Sequence, residues 1–491
     1  MNKLTTVELT AIARRILIEN NFVPDVPRAM KEAVVSLIPQ TANLSAGSSI
    51  RDLRLLLWSS IDNASSRDLD QIEYAEKLPN GDIKLLIGIA DVDALVPKDS
   101  IIDRFAYKNT ISVYAAYQVF PMLPEQLSTD LTSLRQDVDR FAVVVEMIVP
   151  ADGDVQTSDV YRALVCNRAK LSYEEIGAWL DTNSAMPELV EKVEGMDAQI
   201  QLQQETAVRL YDLRRKNGAL EFETIEPVPV VQNDSIIGLA AESQDNSARK
   251  IIENFMIAAN VEMAEFLQNC HSLSLRRVVK TPARWNRIVE IAADYGEHLP
   301  QTPDSVALAE FLERRSQSDA LHFPDLSLSI IKLLGAGEYV VQEPGALESD
   351  GHFGLAVQDY AHSTAPNRRY ADLVLQRLVK AALDRQDSPY TSEELNEIAA
   401  HCNERESAAR KVERQIRKTI AAGVMSSRIG EIFDAIVTGI TPSGTFARTI
   451  SPPVDGRIVM GEEGLQVGEK VRVKLISTDA EKGFIDFACR H

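Results

Sequence analysis

Two near-continuous apolar runs, residues 83–90 and 141–149, constrain the fold more than any other feature of the chain. Each carries a single charged residue, Lys84 in the first and Glu146 in the second. Strands this apolar need cover on both faces. The cover is legible further on, where helical periodicity recurs at 173–180, 200–216, 248–268 and 282–295. No clear N-cap marks the start of the second of these. Residues 301–350 are polar, with two or three short helices. A helix at 373–383 and a longer one from Ser392 to about Ala421 follow. These elements make an α+β chain, and 491 residues allow two to four domains around a large core.

The two ends read differently from the middle. Within residues 1–48, Thr6 or Glu8 opens a helix to about Glu19, with Leu9, Ile12, Ala13 and Ile16 on one stripe. A second helix covers 28–37, and the polar stretch TANLSAGSS reads as a linker. A winged-helix module and a lid on the next domain are the two readings of this small helical piece. At the other end, residues 427–488 hold short β-rich segments separated by Gly turns, as a five-stranded OB-type barrel requires.

The four cysteines are scattered and form no CxxC pair, which disfavours a zinc site or disulfide scaffold and points to a reducing, cytoplasmic setting. No apolar run approaches the roughly 18 residues that span a bilayer, and the first residues hold no apolar signal core, so neither membrane nor export is expected. A net charge of −20 argues against a protein that coats nucleic acid non-specifically. It leaves room for an enzyme that draws a single strand through an internal basic channel.

The chemistry concentrates in residues 61–74, IDNASSRDLDQIEY, between an apolar segment at 53–58 and the first β run. Asp62, Asp68 and Asp70 fall within nine residues, where clustered carboxylates repel one another. Hard oxygen donors of this kind suit Mg²⁺ or Mn²⁺. On spacing alone a solvated acidic turn is equally open, because Asp, Asn and Ser are ordinary loop residues.

The same stretch resembles the signature of the RNase II/RNase R family, whose catalytic unit is the RNB domain. The likeness continues through IADVDALVPKDS, VFPMLPEQLSTDLTSL, IIENFMIAAN and HFGLAVQDYAHSTAPNRRYADLVLQRLV, in the family's order and over roughly residues 50–420. It implies an RNB domain at 50–422, an S1 domain at 427–491 and, at 1–48, a small helical domain where longer members carry cold-shock domains. It further implies a processive 3′-to-5′ exoribonuclease that hydrolyses single-stranded RNA to nucleoside 5′-monophosphates. The cofactor implied is Mg²⁺, for which Mn²⁺ can substitute, and no obligate protein partner is implied.

By position in the motifs, Asp62, Asp68 and Asp70 match metal-binding and catalytic aspartates, and Arg368 matches the arginine on the scissile phosphate. Tyr114 and Phe222 match base-stacking aromatics, and Tyr173 a tyrosine that sets the RNA backbone. Glu253, Arg369 and Glu413 match residues near the RNA. In the S1-like region, Phe446, Phe484 and Phe487 are stacking candidates, and Arg448, Arg457, Arg472 and Lys474 are phosphate candidates. His352 and His362 match no general-base arrangement and are expected to be structural. One departure stands out: the family's fourth aspartate, directly after Asp70, is Gln71 here. An amide cannot supply the charge, so the alternative is an RNB-fold RNA-binding protein with weak or lost nuclease activity.

Overall fold

In the computed structural model, which describes residues 5–37, 50–115, 117–182, 184–232, 235–242, 246–346 and 351–490, the two apolar runs lie side by side. Ile83 pairs with Val149 and Ala90 with Ala142 in one antiparallel ladder. In chain order the first elements are α1 (Thr6–Glu19), α2 (Arg28–Val35), β1 (Arg51–Asp52), β2 (Ser59–Asp62), β3 (Gln71–Lys77), β4 (Ile83–Ala90), α3 (Ile101–Asn109), β5 (Val113–Tyr114), β6 (Val119–Phe120), β7 (Asp139–Val149), β8 (Thr157–Cys166) and β9 (Ala169–Ser172). The central sheet runs β1-β8-β7-β4-β3-β2-β9, which puts β4 and β7 in the interior. Side chains on both faces of β4 are buried except at Lys84, and most of β7 is buried as well, as their composition requires.

Helices and small ladders then wrap the sheet: α4 (Tyr173–Thr182), α5 (Glu188–Lys192), α6 (Met196–Lys216), the hairpin β10 (Glu226–Gln232) and β11 (Ser235–Glu242), α7 (Ser247–Asn269), β12 (Ser274–Val278), α8 (Trp285–Asp294), α9 (Ser305–Ser318), α10 (Phe323–Leu334), β13 (Glu338–Gln342), α11 (Tyr370–Leu383) and α12 (Ser392–Met425). The segment 53–58, apolar in composition, forms no helix or strand. It is a turn region with Leu55 93% exposed, while Trp58 is in the core and its indole Nε1 donates to the Leu53 carbonyl at 2.9 Å. The β12–β13 ladder was not legible, because β12 reads SLRRV and an arginine pair does not look like a buried strand. Arg276 and Arg277 are buried there because Asp359 (3.1 Å) and Glu406 (2.7 Å) meet their charge.

The N-terminal helices divide between two cores. Leu9, Ala13, Ile16 and Leu17 of α1 pack with Val412 and Ile416 of α12, whereas Met30 and Val34 of α2 join the main core. Helix α1 opens at Thr6, the first of the two expected starts, and is capped by Thr5 in a capping box with Glu8. The polar stretch at 41–49 lies outside the described residues.

The C-terminal strands β14 (Ile432–Thr441), β15 (Gly444–Thr449), β16 (Asp455–Met460), β17 (Lys470–Asp479) and β18 (Phe484–Arg490) close into a barrel. Its core is completed by Ala421, Ala422 and Met425 from the end of α12. Gly483 sits against that helix so closely that a Cβ would come within 3.0 Å of the Lys418 carbonyl carbon. A cut near residue 422 therefore divides the barrel core itself. Among the described residues no helix is long and apolar enough to cross a membrane.

Candidate active site

The acidic stretch is the connection from β2 to β3, and its far end is stapled by backbone. Leu69 N–H donates to Ser133 Oγ (3.0 Å), Leu134 N–H to the Leu69 carbonyl (3.0 Å), and Ala90 N–H to the Asp70 carbonyl (2.9 Å). Asp70 is thus held at the mouth of β3, with its side chain 1% exposed. Its Oδ1 accepts from the backbone N–H of Asn367 at 3.0 Å, and its Oδ2 from Arg368 Nε at 2.9 Å. Both donors come from the loop before α11, so residues nearly three hundred positions apart make one unit. Arg368 is 40% exposed and uses one nitrogen, Nε, on Asp70.

Asp62 lies at the end of β2, half-buried. Gln71 Nε2 donates to its Oδ1 at 3.4 Å, and its Oδ2 is buried without a hydrogen-bond partner. Burial pushes the Asp62 carboxyl up to about 7; the Gln71 amide pulls it down, and the charges of Asp70 and Asp68 push it further up. Burial likewise raises Asp70 to about 6 against the opposing pull of Arg368 and the Asn367 amide. Glu73, fully buried on β3, is driven well above the carboxylate range by burial and by Asp62.

The three aspartates that the resemblance implies as metal ligands do not gather into one group. Among the described residues no three His, Cys, Asp or Glu side chains gather to hold a metal ion. Asp70 already serves Asn367 and Arg368, and Gln71 occupies one oxygen of Asp62. The free Oδ2 of Asp62 nevertheless fits Mg²⁺, which takes one or two protein carboxylates and fills its other positions with water and substrate phosphate.

The other predicted residues divide. Tyr114, 44% exposed, brings its hydroxyl to Arg368, and Glu413 Oε1 accepts from the Tyr114 backbone N–H at 2.9 Å. Glu413 is thus a brace for Tyr114. Tyr173 opens α4 near Asp62 and Glu73, with the Arg249 guanidinium 4.5 Å from its ring centre. Arg369 turns inward to Asp372, which holds it through both oxygens (2.9 and 2.7 Å). Glu253 is exposed with Arg214 4.0 Å away, and Phe222 leans on the apolar cluster of α8–α10. His362 Nδ1 meets the Tyr339 hydroxyl at 2.8 Å and His352 Nδ1 accepts from Leu355 N–H at 3.1 Å, so both have structural partners.

In the barrel, Phe487 is fully buried and is core, not a stacking platform. Inward and outward positions alternate along β15, and Phe446 falls on the outward set opposite Arg457; Phe484 is 59% exposed. Arg448 is committed to Asp325 of α10 at 3.0 Å and ties the barrel to the body. Sequence reasoning missed Asn367, whose backbone holds Asp70 and whose side chain accepts from the Thr132 hydroxyl. No residue-type signal announces a backbone donor. Asp372 was findable, since it follows Arg369 by three residues at the start of a helix.

The RNB domain model matches residues 50–385, and the model of the RNase II-type exonuclease C-terminal S1 domain matches residues 431–489. Ribonuclease R of Escherichia coli K12 is 29% identical over 520 residues, covering 98% of this chain and 62% of its own length. Ribonuclease R of Thermotoga maritima is 29% identical over 474 residues, covering 89% and 64%. The chain thus spans a little under two thirds of the curated relatives it matches. Among solved structures, Mycoplasma genitalium RNase R in complex with ribose methylated single-stranded RNA superposes with a TM-score of 0.88 at 24% identity, covering 98% of this chain and 78% of that one. Yeast Ssd1, a pseudonuclease, superposes with a TM-score of 0.73 at 18% identity, covering 95% and 57%. At these identities the structural likeness concerns the fold.

Proposed function

This chain belongs to the RNB-domain family, and from that membership we propose that it is a Mg²⁺-dependent, processive 3′-to-5′ exoribonuclease acting on single-stranded RNA in the cytoplasm. The observation that carries the reading is the Asp70–Arg368 unit. A nearly inaccessible carboxylate fixes the guanidinium through its Nε, while the Arg368 side chain stays 40% exposed beside the Tyr114 hydroxyl. That arrangement suits a scissile phosphate, whose oxygens accept paired charge-assisted bonds from a planar fork.

Each chain group then has a defined task. Arg368 orients the phosphate and offsets its charge as the pentacovalent state forms. Asp70 keeps Arg368 from swinging away, and Asn367 N–H keeps Asp70 in place. Tyr114, braced by Glu413, offers a ring beside that phosphate for the terminal base, and Tyr173 borders the same cleft from α4. Asp62 would hold Mg²⁺ through its free oxygen, with Asp68 and Asp70 adding negative charge nearby. When bound, the ion supplies phosphate charge neutralisation and a more acidic water. The barrel adds affinity for longer RNA through its outward face.

The test is incubation of the protein with 5′-labelled single-stranded RNA in Mg²⁺ or EDTA. Nucleoside 5′-monophosphates should accumulate with Mg²⁺ and disappear with chelator. Nucleoside diphosphates formed only in phosphate buffer would defeat the hydrolytic reading. Gln71 favours a second reading, an RNA-binding protein that cuts slowly or not at all. Its amide sits on Asp62 where the family has a fourth carboxylate, and RNA bound tightly but left intact in Mg²⁺ would select that reading.

A further inference from the structure

Three residues past Asp70, β3 carries a carboxylate that the chemistry above does not use. Glu73 is fully buried and neither of its oxygens has a hydrogen-bond partner. A carboxylate taken out of water without donor or cation is costly, and folded proteins retain few. The charge that acts on it is that of Asp62, whose Oδ2 is likewise buried and unpartnered.

A third orphan lies against the same strand. Gln203 of α6, fully buried, donates Nε2 to Ser59 Oγ (3.1 Å) and to the Glu73 carbonyl (3.4 Å), and its Oε1 has no partner. Ser59 is the cross-strand neighbour of Glu73, so Gln203 covers the strand pair at Glu73. With both acids ionised, Asp62 Oδ2, both oxygens of Glu73 and Gln203 Oε1 are all acceptors, and among the described residues no donor answers them. In that state hydrogen bonding among themselves cannot satisfy the set, which is why burial without a cation favours a protonated Glu73. A hard cation can, since oxygen ligands are what Mg²⁺ and Mn²⁺ take. Gln71 and Glu73 are two apart on one strand and face the same side.

We propose that Glu73 supplies, two residues further along β3, the acidic group absent at Gln71, and that it binds a divalent cation jointly with Asp62. The inference rests on the metal-dependent reading of this site. Sequence motif matching alone would have scored position 71 as a loss. The charge has instead moved along the same face of the strand into the layer beneath.

The experiment is titration of Mn²⁺ followed by the electron paramagnetic resonance of the free ion, on wild type, Glu73→Gln and the Gln71→Asp, Glu73→Gln double variant. Wild type should bind, Glu73→Gln should bind at least about tenfold more weakly, and the double variant should recover affinity. Unchanged affinity in Glu73→Gln overturns the inference and makes Glu73 a buried neutral acid, as does a wild type that binds no Mn²⁺. Should Glu73→Gln fail to fold, the double variant decides: folded protein with recovered binding supports the inference, and folded protein without it overturns it. RNA hydrolysis is scored separately. Wild type that cuts RNA with Mg²⁺ beside unimpaired Mn²⁺ binding by Glu73→Gln sinks the inference and spares the nuclease. Intact Mn²⁺ behaviour beside inert wild type does the reverse.

Discussion

Two acid-rich corners of this protein, thirty residues apart in sequence, have opposite electrostatic fates. Asp91, Asp93 and Asp103 follow β4 and are neutralised by cations from α11 and β8. Arg377 bonds Asp93 (2.9 Å) and Asp103 (2.8 Å), Lys380 bonds Asp91 (2.8 Å) and Asp93 (2.7 Å), and Arg162 reaches Asp91 at 3.4 Å. Asp62, Asp68, Asp70 and Glu73 lie around β3 and have Arg368 as the cation bonded to the set, through Asp70. The first corner clamps α11 to the sheet. The second holds carboxylates in low dielectric without a paired cation, so burial raises their proton affinity, as at a site where a cation takes the place of protons.

The largest expected effect breaks the second corner. Asp70→Asn should lower RNA hydrolysis by about a thousandfold, measured as initial rate in Mg²⁺, because Arg368 loses the charge that fixes it. RNA binding and circular dichroism should stay near wild type. An unfolded variant would make Asp70 a structural residue and remove it from the chemistry.

Breaking the first corner should act on stability instead. Arg377→Met leaves Asp93 and Asp103 without their shared cation and should cost about 3–5 kcal/mol in urea unfolding, while turnover per folded molecule is retained. A loss under about 1 kcal/mol would mean that the network behaves as a surface one.

Neutralising one aspartate in each corner gives opposite signs. In EDTA at pH 8, Asp91→Asn should destabilise by about 1–3 kcal/mol, since Lys380 and Arg162 lose a partner. Asp62→Asn should stabilise by about 1 kcal/mol, since a desolvated charge disappears. The pH dependence follows from the same shifts. Asp62 and Asp70 are raised to about 7 and about 6, so between about pH 4 and 7 the folded chain holds protons that the unfolded chain has released. With more protons on the folded state, stability falls as pH rises through that window and levels off above it. Thermal melts of metal-free protein should show this decline, and Asp62→Asn should flatten it. A melt temperature rising across the window contradicts the assignment.

The smallest effect is expected of Gln71→Asp alone, a change of no more than a few-fold in hydrolysis. Glu73 and Asp62 already crowd the position with charge, and a further carboxylate raises their proton affinity. The change should appear in the Mg²⁺ concentration needed. An inert wild type with a strongly active Gln71→Asp would hand the case to the RNA-binding reading.

Much of this was legible because it is local. Residues 83–90 are β4 to the residue, and the barrel strands follow their Gly turns. The long helix α12 opens on a Thr391–Glu394 capping box. The grouping of Asp62, Asp68 and Asp70, and the arginine pair after Asn367, could be read from motif order. Other assignments failed where one residue type serves two ends. Phe487 and Phe484 are three apart in one strand, yet one fills the barrel and the other meets solvent. Arg368 and Arg369 are adjacent, yet one faces outward from Asp70 and the other is locked to Asp372.

The chain by itself determined where the central strands β4 and β7, most long helices and the barrel lie and which acids stand close in sequence, because periodicity, caps and turn residues act over a few positions. Tertiary structure decided which of those acids keep their charge unanswered. Arg377 reaches Asp93 across 284 positions and Arg368 reaches Asp70 across 298, while among the described residues none reaches the Glu73 carboxyl with a donor. Charge compensation works through space, over a few ångströms and with a desolvation cost set by burial. Two aspartate-rich stretches can therefore become a clamp and a candidate metal site.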